Sequence, residues 1–141
     1  MLNRHLFRGK RLDNGEWIQG NLVENWQFGN KFIPAVIRPR QIEFHQDYTQ
    51  KTYAIAVDPN TVGQCTGDED ENGVLIFEGD IVKPAERFSE DKTYEVLFSD
   101  ESLRFGLYIV PYGMHSDFSE YAGGDLVIIG NRFDHPGLLE V

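Results

Sequence analysis

The sequence predicts a mainly β protein, and three observations carry that prediction. Short apolar runs alternate with polar residues at a period of two, as half-buried strands require. Turn formers separate the runs: Asn14-Gly15 and Asn72-Gly73 are the pairs that best accept the positive φ angles of a tight hairpin, and Gly occurs 14 times in 141 residues. Helix signals are sparse, confined to residues 116–122, where Ser116 would cap one or two turns ended by Gly123-Gly124.

Each element follows from its own residues. Residues 16–23 place Ile18, Gly20 and Leu22 on one face and Trp17, Gln19 and Asn21 on the other. Residues 31–37 are apolar and partly β-branched, but Pro34 has no N–H to give and points to an edge strand or a bulge. Residues 52–57 make another short strand. Over residues 92–98 the alternation turns Tyr94, Val96 and Phe98 inward. Residues 105–110 follow, and residues 126–129 form a continuous apolar run suited to a strand covered on both faces. Ten Phe, six Tyr and two Trp supply much of the buried area.

Net charge is −10, unevenly spread. Residues 1–60 hold 8 Lys+Arg and 6 Asp+Glu, a net of +2, whereas residues 61–141 hold 5 and 17, a net of −12. The balance changes near the breaks between residues 57 and 66, which sets an N-terminal β subdomain over residues 1–64 apart from a second one over residues 65–141. An acidic chain argues against nucleic acid as the main partner, since such binders present basic domains. Cys65 is the lone cysteine, so no intrachain disulfide forms, and a reducing cytoplasm is expected. No run approaches the roughly 20 apolar residues of a membrane span, and residues 1–8 lack the apolar core of a signal peptide. No membrane partner is expected.

Four blocks carry a family resemblance. The main one runs from Thr66-Gly67-Asp68-Glu69-Asp70-Glu71-Asn72-Gly73 through Val74-Leu75-Ile76 to Phe77-Glu78-Gly79-Asp80-Ile81-Val82. Around it stand Phe7-Arg8-Gly9-Lys10 with Asn14-Gly15-Glu16-Trp17, then Val57-Asp58-Pro59-Asn60-Thr61-Val62-Gly63-Gln64, and at the end Ile129-Gly130-Asn131-Arg132-Phe133-Asp134-His135-Pro136. Together they resemble the YopX family of small bacteriophage and prophage proteins over nearly the whole chain, except at about residues 22–51. The resemblance implies a phage or prophage origin, a bacterial cytoplasm, a β-rich fold and a tendency to form homo-oligomers. It implies no catalytic residue and no enzyme. In physical terms Gly79-Asp80 bends the chain into the strand that starts at Ile81, because Gly tolerates the bend and the Asp carboxylate accepts backbone N–H groups. Gly-Asp-Ile-Val followed by alternating strands resembles the opening of an SH3-like small β-barrel, the fold expected for residues 65–141.

No constellation for chemistry stands out. Asp68-x-Asp70-x-Asn72-Gly73 begins like a calcium loop, but the twelfth position, which needs a bidentate Glu, is Gly79. It reads as an acidic hairpin turn. His5, His45, His115 and His135 show no metal-ligand spacing, Cys65 completes no zinc motif and reads as a packing thiol, and no phosphate-binding glycine loop appears. No metal and no cofactor are expected. The leading expectation is a non-enzymatic, self-associating module that binds a host or phage protein through Trp26, Phe28 and Tyr112, with Asp68, Glu69 and Asp70 as an acidic knob. The alternative is single-stranded nucleic acid held by Arg8, Lys10, Arg11, Arg38 and Arg40 among the aromatics of the N-terminal half.

Overall fold

A computed structural model describes residues 2–38, 43–44, 50–51, 54–89, 92–109, 113–117 and 123–139. Thirteen strands and short 3-10 turns make up the described chain, which is mainly β. Contacts divide the chain into Arg4–Gln64 and a second unit formed by Cys65–Val141 with Met1–Asn3.

In the N-terminal unit, β1 (Phe7–Lys10) pairs antiparallel with β2 (Trp17–Phe28), and β2 with β3 (Lys31–Arg38). The two-residue strands β4 (Glu43–Phe44) and β5 (Gln50–Lys51) pair with each other, and β6 (Ile55–Ala56) pairs with β3. Gly63 and Gln64 open β7 (Gly63–Glu69) and pair with Arg8 and Phe7. The core gathers Ala35, Ile37 and Val57 under Phe7, Ile18, Leu22 and Val62, so the face expected of Ile18 and Leu22 is the one that packs. Pro34 causes no bulge. It stands opposite Asn25, where the β2–β3 ladder omits one rung and keeps its register on either side. Asn25 has φ 55°, a left-handed conformation that asparagine accepts better than most side chains.

In the second unit the rest of β7 pairs with β8 (Leu75–Phe77). A five-stranded antiparallel sheet runs in the order β12 (Gly113–Asp117), β11 (Arg104–Ile109), β10 (Tyr94–Ser99), β9 (Asp80–Pro84), β13 (Leu126–Asn131). Thus β9 to β12 form a meander and the last strand returns beside the first; no ladder among the described residues joins β12 to β13. Ile76, Val82, Tyr94, Val96, Leu107 and Leu126 are its core.

Three local expectations change. Ser116 and Asp117 lie in β12, opposite Leu107 and Gly106, so residue 116 caps no helix; ladder pairing overrides the weak capping signal, and residues 118–122 fall outside the described ones. Phe98 is 39% exposed rather than inward, because it sits at the hairpin end of β10, opposite Phe105. In β13, Leu126 is buried but residues 127–129 are only half-buried.

Candidate functional site

The family motif resolves into turn architecture. Asp70 is buried; its Oδ1 accepts from the Asn72 and Val74 N–H groups at 2.9 Å each, and its Oδ2 from Ile128 N–H at 3.2 Å. The turn closes from Gly73 N–H to the Asp70 carbonyl, with Gly73 at φ 81°, and Glu71 N–H donates to the Leu126 carbonyl. One carboxylate therefore shapes the turn and fastens it to β13. Asp70 does not belong to an exposed acidic knob, which is a correction to the expectation from sequence. Its withdrawal follows from three backbone donors that would otherwise lose their acceptor. Glu69 is exposed, and Asp68 is half-buried with Oδ1 accepting from Glu69 N–H.

The second bend behaves as its residues require. Asp80 is buried and accepts from Phe77 N–H at 2.7 Å, while Gly79 takes φ 92°, a value that side chains rarely adopt. Gly79 N–H donates to the Val96 carbonyl, and its own carbonyl accepts from Arg132 N–H. In the closing block, Asn131 Oδ1 accepts from the N–H groups of Phe133 and Asp134, and His135 Nδ1 accepts from Asn131 N–H at 3.2 Å. His135 is thus exposed and engaged in holding a turn. In the upstream block, Asp58 caps the 3-10 turn Pro59–Thr61, and the buried Thr61 Oγ1 donates to the Asp58 carbonyl and accepts from Lys10 N–H.

Glu95 is a group the sequence did not single out. It is buried in β10, with Oε2 3.0 Å from Arg132 Nη1 as an ion pair whose alignment falls short of a hydrogen bond. Burial pushes its pKa up; Arg132 opposes that rise and nearby Glu78 adds to it. No turn or alternation signal marks such a residue, because its ionic partner Arg132 is 37 positions along the chain.

The basic and aromatic residues of the N-terminal unit come together in part. The guanidinium of Arg8 lies 4.7 Å and the ammonium of Lys10 5.5 Å from the Trp17 ring centroid, and Arg38 lies 6.0 Å from that of Trp26. Arg11 instead pairs with Asp13 at 2.6 Å, which holds the Asp13 carboxyl below its usual range. Arg40 and Tyr112 lie outside the described residues, as does the side chain of Phe28. Trp26 is half-buried.

Beyond Gly20 on β2 and before Ala35 on β3, no described strand pairs with the outer edges, so residues 22–34 form a two-stranded ribbon. Its Phe32 is 67% exposed, and Ile33 and Trp26 are half-buried. A groove in the second unit is lined by Glu71, Asn72, Lys83, Glu86, Arg87 and Val127, but Arg87 is already tied to Glu71, Asp125 and the Gly124 carbonyl. Among the described residues no group of three or more His, Cys, Asp or Glu could hold a metal ion, and no helix is long and apolar enough to cross a membrane.

Protein EF1440 from Enterococcus faecalis, known from its crystal structure, is similar to this chain at 25% identity and a TM-score of 0.52, over 95% of this chain and 96% of that one. No curated protein matches. The family model described as YopX protein matches residues 6–140, the same span whose motifs hold the turns described above, and the chain belongs to the YopX family.

Proposed function

We propose that this chain is a non-enzymatic accessory protein of a phage or prophage, a self-associating module that works in the cytoplasm by binding protein. The observation that carries this reading is the β2–β3 ribbon, with its outer edges unpaired among the described residues and Phe32 in water. A two-stranded ribbon is marginal by itself in water, and a partner that covers its apolar side chains or extends its ladder stabilises it. The turn roles of Asp58, Asp70, Asp80, Asn131 and His135 support the same reading, since these polar side chains are engaged with backbone.

A tagged pull-down from bacterial lysate, with and without nuclease, tests it. Recovery of a discrete protein or of untagged copies of the chain after nuclease is expected, and its loss with Phe32→Glu locates the face. Recovery of nucleic acid alone, lost in high salt, would favour the second reading, for which the specific observation is the placement of Arg8 and Lys10 over Trp17 and of Arg38 by Trp26.

A further inference from the structure

The turn between β10 and β11 contains a residue in an unusual state. Leu103 has φ 56°, in the left-handed region that γ-branched side chains avoid, and at 75% it is the most exposed large hydrophobic residue among those described. The turn holds it there: Leu103 N–H donates to the Ser99 carbonyl at 2.7 Å, and Ser102 N–H to Ser99 Oγ at 3.1 Å. On the strands that the turn joins, Phe98 is part-exposed and packs edge-on against Phe105 with centroids 5.3 Å apart. Glycine or asparagine would suit the backbone better and water equally well. A strained leucine displayed to solvent on a hydrogen-bonded turn points to use of its side chain by a partner.

The chemistry around the tip indicates which partner. Asp100 and Glu101, both exposed, precede the apolar knob and the exposed Arg104 follows it, in the part of the chain that carries a net of −12. The ribbon of residues 22–34 offers the complement on one face: Ile33 paired with Trp26 as apolar surface, with Lys31 exposed on the same face and Arg38 near Trp26, in the part that carries +2, while Phe32 points to the other face. We infer that the Leu103 knob of one copy docks on the β2–β3 ribbon of a second copy of this chain. This rests on the self-associating reading above and names its contact. Each copy carries one knob and one ribbon, so the contact is either reciprocal in a dimer or passed from copy to copy, in a closed ring or an open filament. Burying Leu103 against Ile33 and Trp26 supplies the apolar centre, and Lys31 on that same face, meeting Asp100 and Glu101, fixes orientation at the rim.

Sedimentation of the full chain over a range of concentrations tests the contact. Wild type is expected to associate, and Leu103→Gly to weaken association at least about tenfold with no fall in thermal midpoint, since glycine relieves the φ strain while removing the knob. Lys31→Glu should weaken it, and Lys31→Glu combined with Glu101→Lys should restore it. Association unchanged in Leu103→Gly and in Ile33→Glu, both still folded by circular dichroism, would overturn the knob-and-ribbon contact and leave self-association standing. A wild-type chain that stays monomeric throughout would overturn both.

Discussion

Asp70 and Glu95 are both acids withdrawn from water, and they are stabilised by opposite means. Asp70 has three backbone N–H groups as partners, so its charged form is hydrogen-bonded on both oxygens. Asp70→Ala removes the common acceptor, and chemical denaturation is expected to show a loss of about 3 kcal/mol. Asp70→Asn should recover part of that, because one oxygen remains while the amide turns a donor toward donors. Glu95 has one cation, Arg132, which is half exposed. An unfolded Glu titrates near 4.5 and the folded Glu95 above it, so between those values the native state holds the extra proton. Its contribution to stability is therefore full below the unfolded value and is lost as pH rises through the raised one. Thermal melts from pH 4 to 8 should show a decline with rising pH that Glu95→Gln flattens, and the Gln variant should be no less stable at pH 7. Arg132→Ala should cost about 2 kcal/mol at pH 7, less than for a fully buried pair because water reaches the guanidinium.

At the scale of elements, the ribbon and the motif turns form a contrast. The turns are over-determined: Asp58, Asp70, Asp80 and Asn131 each accept backbone N–H groups within a few residues. The role of Asp80 and the break at Asp58-Pro59 were legible in the sequence because an Asx residue next to Pro or Gly acts locally, whereas Asp70, between two Glu, was expected in an acidic knob. Strand positions were legible for the same reason, since alternation at Ile18 and Leu22 or at Tyr94 and Val96 is a local pattern that packing then uses. Non-local facts were not legible. Nothing near Asp70 announces that Ile128 will be its third donor, nothing near Glu95 announces Arg132, and the capping potential of Ser116 was outweighed by its rung opposite Leu107. The ribbon residues gave an aromatic signal but no indication that neighbouring strands would stop short of them. Hydrogen exchange should find the amides of residues 23–33 exchanging ahead of those of Val36 and Ile37, where β6 covers the edge. Raising the protein concentration should slow the ribbon amides selectively if a second copy covers them.

For the whole molecule, charge is the property that sequence alone fixes and that the fold distributes. A net of +2 over residues 1–60 and −12 over residues 61–141 gives copies of the chain both an attraction between unlike parts and a general repulsion. The attraction acts at contact, where screening over about 8 Å at physiological salt leaves it largely intact. The repulsion acts at longer range and is screened first. Moderate salt is therefore expected to strengthen association and high salt to weaken it, a maximum that sedimentation at a series of ionic strengths would display. A monotonic loss with salt would mean that ion pairs dominate over the apolar centre. A different consequence comes from the lone thiol. Cys65 stands in β7 opposite Phe77, wholly buried, with Sγ accepting from Gly67 N–H at 3.4 Å. An alkylating reagent therefore reaches sulfur only when the packing over β7 opens. The rate of modification of the unaltered protein is then a clock for that opening, and it reads the motion around one defined side chain without any label, mutation or added probe.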